Sequence, residues 1–410
     1  MRHRAVGTVK HRSLTATTLA VAGLLLAGCT AAGQAGDAGS AGGGDETVNV
    51  GLVYSRTGLL AAYGKQYRDG FMAGLDYATK GTGKAAGHRI EVTEQDDAGD
   101  PGKAVSAAKN LIGKGYRVLA GTTDSGVALQ MAPLAAQNKV LYVSGPAATD
   151  AVTGINKYTF RSGRQSYQDI LTAGTMLGDA KGKKVTVLAQ DSTFGQANVS
   201  AVTAVLGAEG AEVDSVLAPP SATDLTPFAR QVKSGGPDLV FVAWAGATAP
   251  ALWTALDQQG VPAASKVVTG LAGTASYPVF GAAGSQVSFL AHYFPGAGGG
   301  NAVEKAMLAS VEKAGGTPDL FTPDGFTAAQ MIVRAVEKGG ATDTAAMAKA
   351  LEGWSFDGVK GKEQVRAEDH ALLQPMFVAR LTGKGTAAVP ELVSTQPKDA
   401  VAPPVKPSAS

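Results

Sequence analysis

The chain has 410 residues, with 36 Lys and Arg against 34 Asp and Glu and a formal net charge of +2. Hydrophobic residues make up 45% of the sequence and charged residues 17%, which excludes an intrinsically disordered protein. The first 28 residues hold four basic and no acidic side chains. Without them, 32 basic residues stand against 34 acidic ones, a net charge of −2, so nucleic-acid binding is not expected.

The N-terminal segment has the layout of an export signal. Its basic residues precede an uncharged run at 14–27, which is about the length of a signal-peptide apolar region and too short to span a membrane. The run ends in Leu26-Ala27-Gly28-Cys29, which resembles a bacterial lipobox. We therefore predict a lipoprotein signal peptide at 1–28 and lipidation of Cys29, the single cysteine. A plain secretory signal with an incidental cysteine is the alternative.

Two segments outside the predicted core lack a pattern for folding. Residues 29–46 are rich in Ala and Gly and predict a flexible linker after the lipidated cysteine. Residues 396–410 contain four prolines and predict an irregular, Pro-rich tail. The folded part is then 47–395, in which no further apolar run is long enough to span a membrane.

Short apolar strands alternate with helical stretches from Thr47 onward. In the first run the pattern predicts strands at 48–54, 89–94, 117–120, 140–143 and 158–161, with helices at 63–79, 101–114 and 125–138. Asp100-Pro101 supplies an N-cap followed by proline at the first helical position.

The same alternation then starts again. It predicts helices at 166–179, 195–209, 224–234 and 247–259 and strands at 185–189, 212–217, 239–243, 266–269 and 286–290, followed by helices at 301–314, 323–338 and 344–352 and a last strand at 375–381. Two runs of strand–helix–strand units predict two doubly wound α/β lobes with parallel sheets. Ligands of such sheets bind outside the carboxyl ends of the strands.

Catalytic machinery is mostly absent from the sequence. It has no Gly-x-Ser-x-Gly elbow and no phosphate-binding Gly-x-x-x-x-Gly-Lys-Ser/Thr loop. Of the histidines beyond the signal, His88 and His370 lie far from His292 in sequence. His292 follows a strand and is interpreted as a surface or capping residue, with a place in a cleft as the alternative.

Two glycine- or aspartate-rich loops also carry weak signals. The stretch 296–300 lacks the last glycine of a dinucleotide-binding loop and is interpreted as a loop or hinge. The stretch 96–100 lacks the closing Glu and the spacing of a calcium loop, so its acids are interpreted as polar strand ends. We therefore expect no catalytic residue, cofactor or metal.

The strand-to-helix loops instead offer hydroxyls, backbone amides and aromatic rings. The stretches 121–126 and 144–149 each end a strand and open a helix, a place where free N–H groups attract a carboxylate. Ser125 and Thr149 add hydroxyls, unless they only cap their helices. Four aromatic residues also lie in or beside such loops: Tyr63, Phe194, Trp244 and Phe321.

In order and spacing, these features resemble the branched-chain amino acid type of solute-binding protein of ABC importers. The resemblance covers nearly all of 48–381 and rests on these landmarks: 58–64 (GLLAAYG), 96–101 (DDAGDP), 144–149 (SGPAAT), 191–195 (DSTFG), 236–238 (GPD), 356–358 (FDG) and 373–375 (LQP). It implies the type I periplasmic-binding, Venus-flytrap fold, with two lobes joined by a three-strand hinge. Lobe one would be 47–161 plus 295–374, and lobe two 162–294 plus 375–395.

The resemblance also implies a ligand shell. Ser125 would bind a ligand carboxylate, Ala147 and Thr149 would offer backbone groups and a hydroxyl, and Tyr63, Phe194 and Phe321 would form aromatic walls. Trp244 lies one place from a tyrosine of the family. Leu271 falls in the loop 270–273, where many members carry an acid that pairs with the ligand's ammonium. Either the ligand here has no ammonium, or Asp124, Asp191 or Asp324 supplies the charge.

The sequence therefore predicts an extracytoplasmic, membrane-anchored lipoprotein without enzymatic activity. As a monomer it would capture an amino acid or similar small carboxylate and deliver it to an ABC permease. A sensory receptor subunit of the same fold is the alternative. An extracellular enzyme such as an amidase is disfavoured, because no nucleophile–base set is present.

Overall fold

A computed structural model describes residues 46–383 and 387–406. The predicted signal peptide, Cys29 and all of the predicted linker except residue 46 lie outside the described residues. The first region begins with β1 (Val48–Tyr54), α1 (Ala61–Ala78), β2 (Lys84–Ala85), β3 (His88–Asp96), α2 (Pro101–Gly113), β4 (Val118–Ala120), α3 (Ser125–Gln137), β5 (Leu141–Ser144) and β6 (Thr159–Arg161). These strands form a six-stranded sheet in the order β2-β3-β1-β4-β5-β6, parallel except for the short hairpin of β2 with β3.

Two helices beside this sheet, α2 and α3, begin at aspartate caps. The Asp100 carboxylate accepts from the backbone N–H of Lys103 with Pro101 at the first helical position, which confirms the predicted start of α2. At α3 the cap is Asp124, whose carboxylate accepts from Val127 N–H at 2.9 Å. Ser125 is therefore the first helical residue and not the cap, and its side chain faces the loops.

The second region repeats the alternation. It contains α4 (Ser166–Leu177), β7 (Lys184–Gln190), α5 (Thr193–Val202), β8 (Glu212–Ala218), α6 (Thr226–Gly235), β9 (Leu239–Ala243), α7 (Ala249–Gln258), α8 (Val261–Ala264), β10 (Lys266–Gly270) and β11 (Val287–Ala291). Its central strands β7, β9, β10 and β11 are rich in Val, Leu and Ala that are buried on both sheet faces, as expected of a sheet with helices on both sides.

The chain then returns to the first region. Helices α9 (Ala302–Lys313), α10 (Thr322–Gly339) and α11 (Thr344–Leu351) are followed by a small antiparallel sheet of β12 (Ser355–Gly358), β13 (Gly361–Val365) and β14 (Leu372–Leu373), which the sequence analysis missed. Helix α10 packs along α1, where Gly70 and Gly74 leave room for its backbone.

Two last strands complete the second sheet. The strands β15 (Met376–Thr382) and β16 (Val389–Gln396) are antiparallel and extend it to the order β16-β15-β11-β10-β9-β7-β8. The chain thus forms two α/β lobes with mainly parallel sheets, as predicted, and we call the lobe of the six-stranded sheet lobe one and the other lobe two.

The described part of the Pro-rich tail is irregular but packed. Beyond β16 it leaves the sheet of lobe two and reaches lobe one, where the Arg366 guanidinium donates to the carbonyl of Pro403 at 2.7 Å. The Asp369 carboxylate accepts from Lys406 N–H at 3.1 Å, and Val401 is fully buried. The tail is therefore a further connection between the lobes, next to the three predicted crossings.

Candidate functional site

A cavity of about 300 Å³ lies between the two lobes, and we call it the outer cavity. It is bounded by the loops that follow the carboxyl ends of the strands, where parallel sheets bind ligands. Its lining residues are Leu59, Leu60, Tyr63, Ala98, Gly99, Thr123, Asp124, Ser125, Pro146, Ala148, Arg164, Gln190, Ser192, Phe194, Pro220, Ala245 and Phe321.

The polar end of the outer cavity is the start of α3. The hydroxyl oxygen of Ser125 accepts from Thr149 N–H at 3.3 Å, which leaves the hydroxyl proton available to donate. Asp124 takes the backbone N–H groups of Gly126 and Val127, so the N–H of Ser125 is the donor that the first helical turn offers to a ligand. Ser125 thus offers an anion a hydroxyl and a backbone amide at one place.

A buried hydrogen-bond network fixes the loop that precedes α3. Asp97 is fully buried and accepts from Ser55 Oγ at 2.7 Å and from the Thr122 hydroxyl. The Thr123 hydroxyl in turn donates to Ser55 Oγ at 2.5 Å. Asp97, interpreted from sequence as a polar strand end, therefore fixes the loop that presents Ser125.

A smaller space of about 70 Å³, the inner chamber, lies on the lobe-two side. It shares five lining residues with the outer cavity, so the two spaces are neighbours: Tyr63, Arg164, Phe194, Ala245 and Phe321. Most of its remaining wall is apolar: Trp244, Leu271 and Leu290 come from the ends of β9, β10 and β11, Trp253 comes from α7, and Phe280 from the 3₁₀ stretch Thr274–Gln286. The Trp244 indole N–H is already used, because it donates to Thr248 Oγ1 at 2.9 Å.

Besides Tyr63, three ionisable groups line the inner chamber. The Arg164 Nε lies 3.3 Å from Asp169 Oδ2, and Arg164 Nη1 donates to the carbonyl of Pro146 at 2.8 Å. Burial raises the pKa of Asp169 to about 6 although the Arg164 charge acts to lower it. Burial and the positive charges of Arg164 and Lys360 hold the pKa of His292 well below its usual range, so the imidazole is neutral.

Direct contacts join the lobes beside these spaces. The lobe-one residue Asp319 accepts from Thr274 N–H at 2.9 Å and from the Thr274 hydroxyl at 3.2 Å. The Tyr63 hydroxyl lies within hydrogen-bonding reach of the backbone N–H of Gly246, and its ring packs edge-on against Phe321 at 4.7 Å between centroids. The structure thus shows the lobes closed over the outer cavity.

The residues predicted from the sequence fall into three groups. Tyr63, Ser125, Phe194 and Phe321 line the outer cavity, while Trp244 and Leu271 line the inner chamber. Ala147 and Thr149 line neither space, although their neighbours Pro146 and Ala148 do.

The positions of Ala147 and Thr149 follow from a buried guanidinium. Arg161 donates through Nη2 to the carbonyl of Ala147 at 2.6 Å and through Nη1 to that of Thr149 at 2.8 Å. The Thr149 hydroxyl accepts from Ala151 N–H at 3.4 Å and caps a short 3₁₀ turn. The polar groups of this loop therefore hold the loop together.

Sequence reasoning missed Arg164, Asp169 and the buried position of His292. His292 is only 4% exposed, so its interpretation as a surface residue is wrong, and the alternative of a cleft position holds. Charged residues in the hinge stretch that follows β6 were the available signal, because a buried charge needs a partner.

The structure also separates the three acids considered for a ligand ammonium. Asp124 lines the outer cavity. Asp191 instead accepts from Gln196 Nε2 at 2.9 Å, and Asp324 is fully buried with Lys360 Nζ at 3.3 Å. In the part of the chain that the structure describes, no group of His, Cys, Asp and Glu could hold a metal ion, and no helix is long and apolar enough to cross a membrane.

Comparisons with known proteins agree on one family. A family model described as "Periplasmic binding protein" matches residues 47–386. Leu/Ile/Val-binding protein homolog 3 of Brucella melitensis is 27% identical over 308 residues, 74% of this chain and 83% of that protein.

Solved structures show the same relationship. An ABC-type branched-chain amino acid transporter structure from Rhodopseudomonas palustris is 31% identical, with a TM-score of 0.71 over 88% of this chain and 100% of that one. A solute-binding protein from R. palustris in complex with 4-hydroxybenzoate has a TM-score of 0.78 over 86% of this chain and 97% of that one, at 22% identity.

Proposed function

This chain belongs to the periplasmic binding protein family, the extracytoplasmic class that delivers solutes to ABC importers, and we propose that its solute is a small carboxylate held between the two lobes. One observation supports the proposal above the others. The outer cavity combines the start of α3, where the Ser125 hydroxyl proton is available to donate, with aromatic side chains from both lobes. Such a site binds a carboxylate at one end and an apolar body at the other.

Arg164 strengthens the case for an anionic ligand. It lines the outer cavity and is buried, and its guanidinium lies 5.7 Å from the centroid of the Phe321 ring, which borders both spaces. At an effective dielectric constant of about 20, two unit charges about 6 Å apart attract by about 3 kcal/mol. Asp169 offsets part of that attraction, but a carboxylate remains favoured over a cation beside the guanidinium.

An ammonium group has weaker support. The loop with Leu271 contributes no acid, and Asp124 already accepts backbone N–H groups as the cap of α3. Burial raises the pKa of Asp124, which means that its charged form is not well stabilised. We propose that carboxylates without an amine bind at least as well as leucine.

The remaining parts of the proposal concern anchoring and motion. Lipidation of Cys29 would hold the protein at the membrane surface, and the linker would let it act as a monomer on an ABC permease without chemistry of its own. The lobes, 47–161 plus 295–374 and 162–294 plus 375–395, would open and close about the crossings between them. A sensory receptor subunit would use the same closure, and no observation favours it.

A calorimetric ligand screen tests the proposal. We expect 4-methylpentanoate, which is leucine without its amine, and ring-bearing carboxylates such as benzoate to bind at least as tightly as leucine. Leucine amide, which lacks the carboxylate, is the control and should not bind. Strong leucine binding without any binding of 4-methylpentanoate would contradict the absence of an ammonium site, and binding of leucine amide would contradict the carboxylate site.

A further inference from the structure

The polar groups of the inner chamber lack partners within the protein. No described residue hydrogen bonds to either ring nitrogen of His292, and its Nε2 is fully shielded. Asp169 Oδ1 and Arg164 Nε are also buried without a hydrogen bond of good geometry. All three residues line one space of about 70 Å³.

Such a cluster is unusual in a folded protein. An unpaired buried polar group costs about 1–3 kcal/mol, and native structures pair the large majority of them. Most of the surrounding wall is apolar, and two of its polar donors, the Thr269 hydroxyl and the Trp244 indole, donate to other protein atoms. The chamber therefore offers acceptors to a group that the protein itself does not supply.

Charge and size restrict which ligand group the inner chamber can accept. Arg164 disfavours an ammonium, and Asp169 together with the apolar wall disfavours a second carboxylate. A neutral imidazole has one nitrogen with a lone pair, which accepts from a hydroxyl or similar donor. A water molecule needs about 10–15 Å³ on the same measure, so the chamber admits a small group at the end of a ligand but not a whole ligand.

We infer that the inner chamber is a subsite for a hydroxyl at the far end of a ring-bearing carboxylate, and that His292 accepts its hydrogen bond. The inference rests on the proposed function, because the carboxylate lies at Ser125 in the outer cavity. The ring lies among Tyr63, Phe194 and Phe321, which border both spaces, and the hydroxyl passes between them into the chamber. His292 packs beside Phe321 at 4.9 Å between centroids, so the ring wall and the acceptor are adjacent.

Two matched pairs of probes test the inference by calorimetry on the full chain. They are 4-hydroxybenzoate with benzoate, and 4-hydroxyphenylacetate with phenylacetate. In at least one pair the hydroxylated member should bind at least about tenfold more tightly, since a hydrogen bond to a buried and otherwise unpaired acceptor is gained. In His292→Phe this preference should vanish or reverse while the plain acid still binds.

Three comparisons keep the outcome unambiguous. His292→Gln retains an acceptor and should recover part of the preference, and His88→Phe, which changes a residue outside both spaces, should keep it in full. Binding of the plain acid by His292→Phe shows that this variant is folded. Equal binding within both pairs, or an unchanged preference in His292→Phe, overturns the inference. If 4-methylpentanoate binds and no aromatic acid does, the inference fails while the proposed function stands.

Discussion

The outer cavity and the inner chamber differ in whether their polar groups are hydrogen bonded to the protein. In the outer cavity, the groups beside α3 are already bonded to the protein: Asp124 caps the helix, Thr123 donates to Ser55, and Ser125 accepts from Thr149. In the inner chamber, His292, Asp169 and Arg164 each keep a buried atom without a hydrogen bond.

This difference indicates that the outer cavity is preorganised to bind a carboxylate, whereas the inner chamber distinguishes one ligand from another. The bonded loop of the outer cavity is rigid and presents one spare hydroxyl proton, so it can hold a carboxylate of many ligands equally well. The unpaired groups of the chamber are costly until a matching group arrives, so they discriminate between ligands. We therefore expect general affinity to depend on the outer cavity and selectivity on the chamber.

Arg164→Gln is the change with the largest expected effect, because Arg164 lines both spaces. Loss of its charge should weaken binding of a carboxylate by about 30-fold, or about 2 kcal/mol, as measured by calorimetry. It should also lower the free energy of unfolding by about 3 kcal/mol at neutral pH, since Asp169 is left buried without its partner.

The pH dependence of this variant follows from Asp169. Its pKa is about 6 in the presence of Arg164 and should rise further without it, so the folded state binds a proton that the unfolded state has lost. Stability therefore falls as the pH rises from about 4 through the folded pKa, and the melting deficit should be larger at pH 8 than at pH 5. The double variant with Asp169→Asn should recover stability but not affinity. A deficit that is independent of pH would show that Asp169 is not the charge left unpaired.

Ser125→Ala tests the outer cavity alone. The lost hydroxyl proton should weaken binding of every carboxylate by about tenfold and leave the 4-hydroxybenzoate to benzoate ratio unchanged. Ser106→Ala, in the exposed part of α2, is the matched control and should change neither value. A changed ratio with unchanged affinity would reverse the roles assigned to the two spaces.

The fold was largely predictable from the sequence because its signals are local. The apolar run of β1, the alternation of strands and helices, and the Asp100-Pro101 cap each depend on neighbouring residues. The strands that were missed, β2, β12 to β14 and β16, are short or exposed. The sequence of Val389–Gln396, for example, carries little apolar alternation. The packing of the tail at Asp369 depends on a contact 37 residues apart, which no local pattern encodes.

The site was predictable only in part, because some of its residues meet through contacts that are distant in sequence. Ser125 and Tyr63 lie in strand-to-helix loops, so their place at the cavity followed from topology. Arg164 and Asp169 lie together at the start of α4, but His292 joins them from the end of β11, a distant part of the chain. Ala147 and Thr149 show the converse, since a loop position alone could not reveal that Arg161 turns their carbonyls inward.

Tyr63→Phe is the smallest change, and it tests whether closure contributes to the outer cavity's affinity. The substitution keeps the edge-on contact with Phe321 but removes the hydroxyl that reaches Gly246 in lobe two. One neutral hydrogen bond across the lobes is worth about 0.7 kcal/mol, so binding should weaken about threefold, mainly through faster dissociation in stopped-flow measurements. Thr274→Val removes another side-chain bond between the lobes, from the Thr274 hydroxyl to the Asp319 carboxylate and away from both spaces, while the backbone bond remains. If the two variants accelerate dissociation equally, closure itself holds the ligand; if only Tyr63→Phe does, the tyrosine acts as part of the cavity wall.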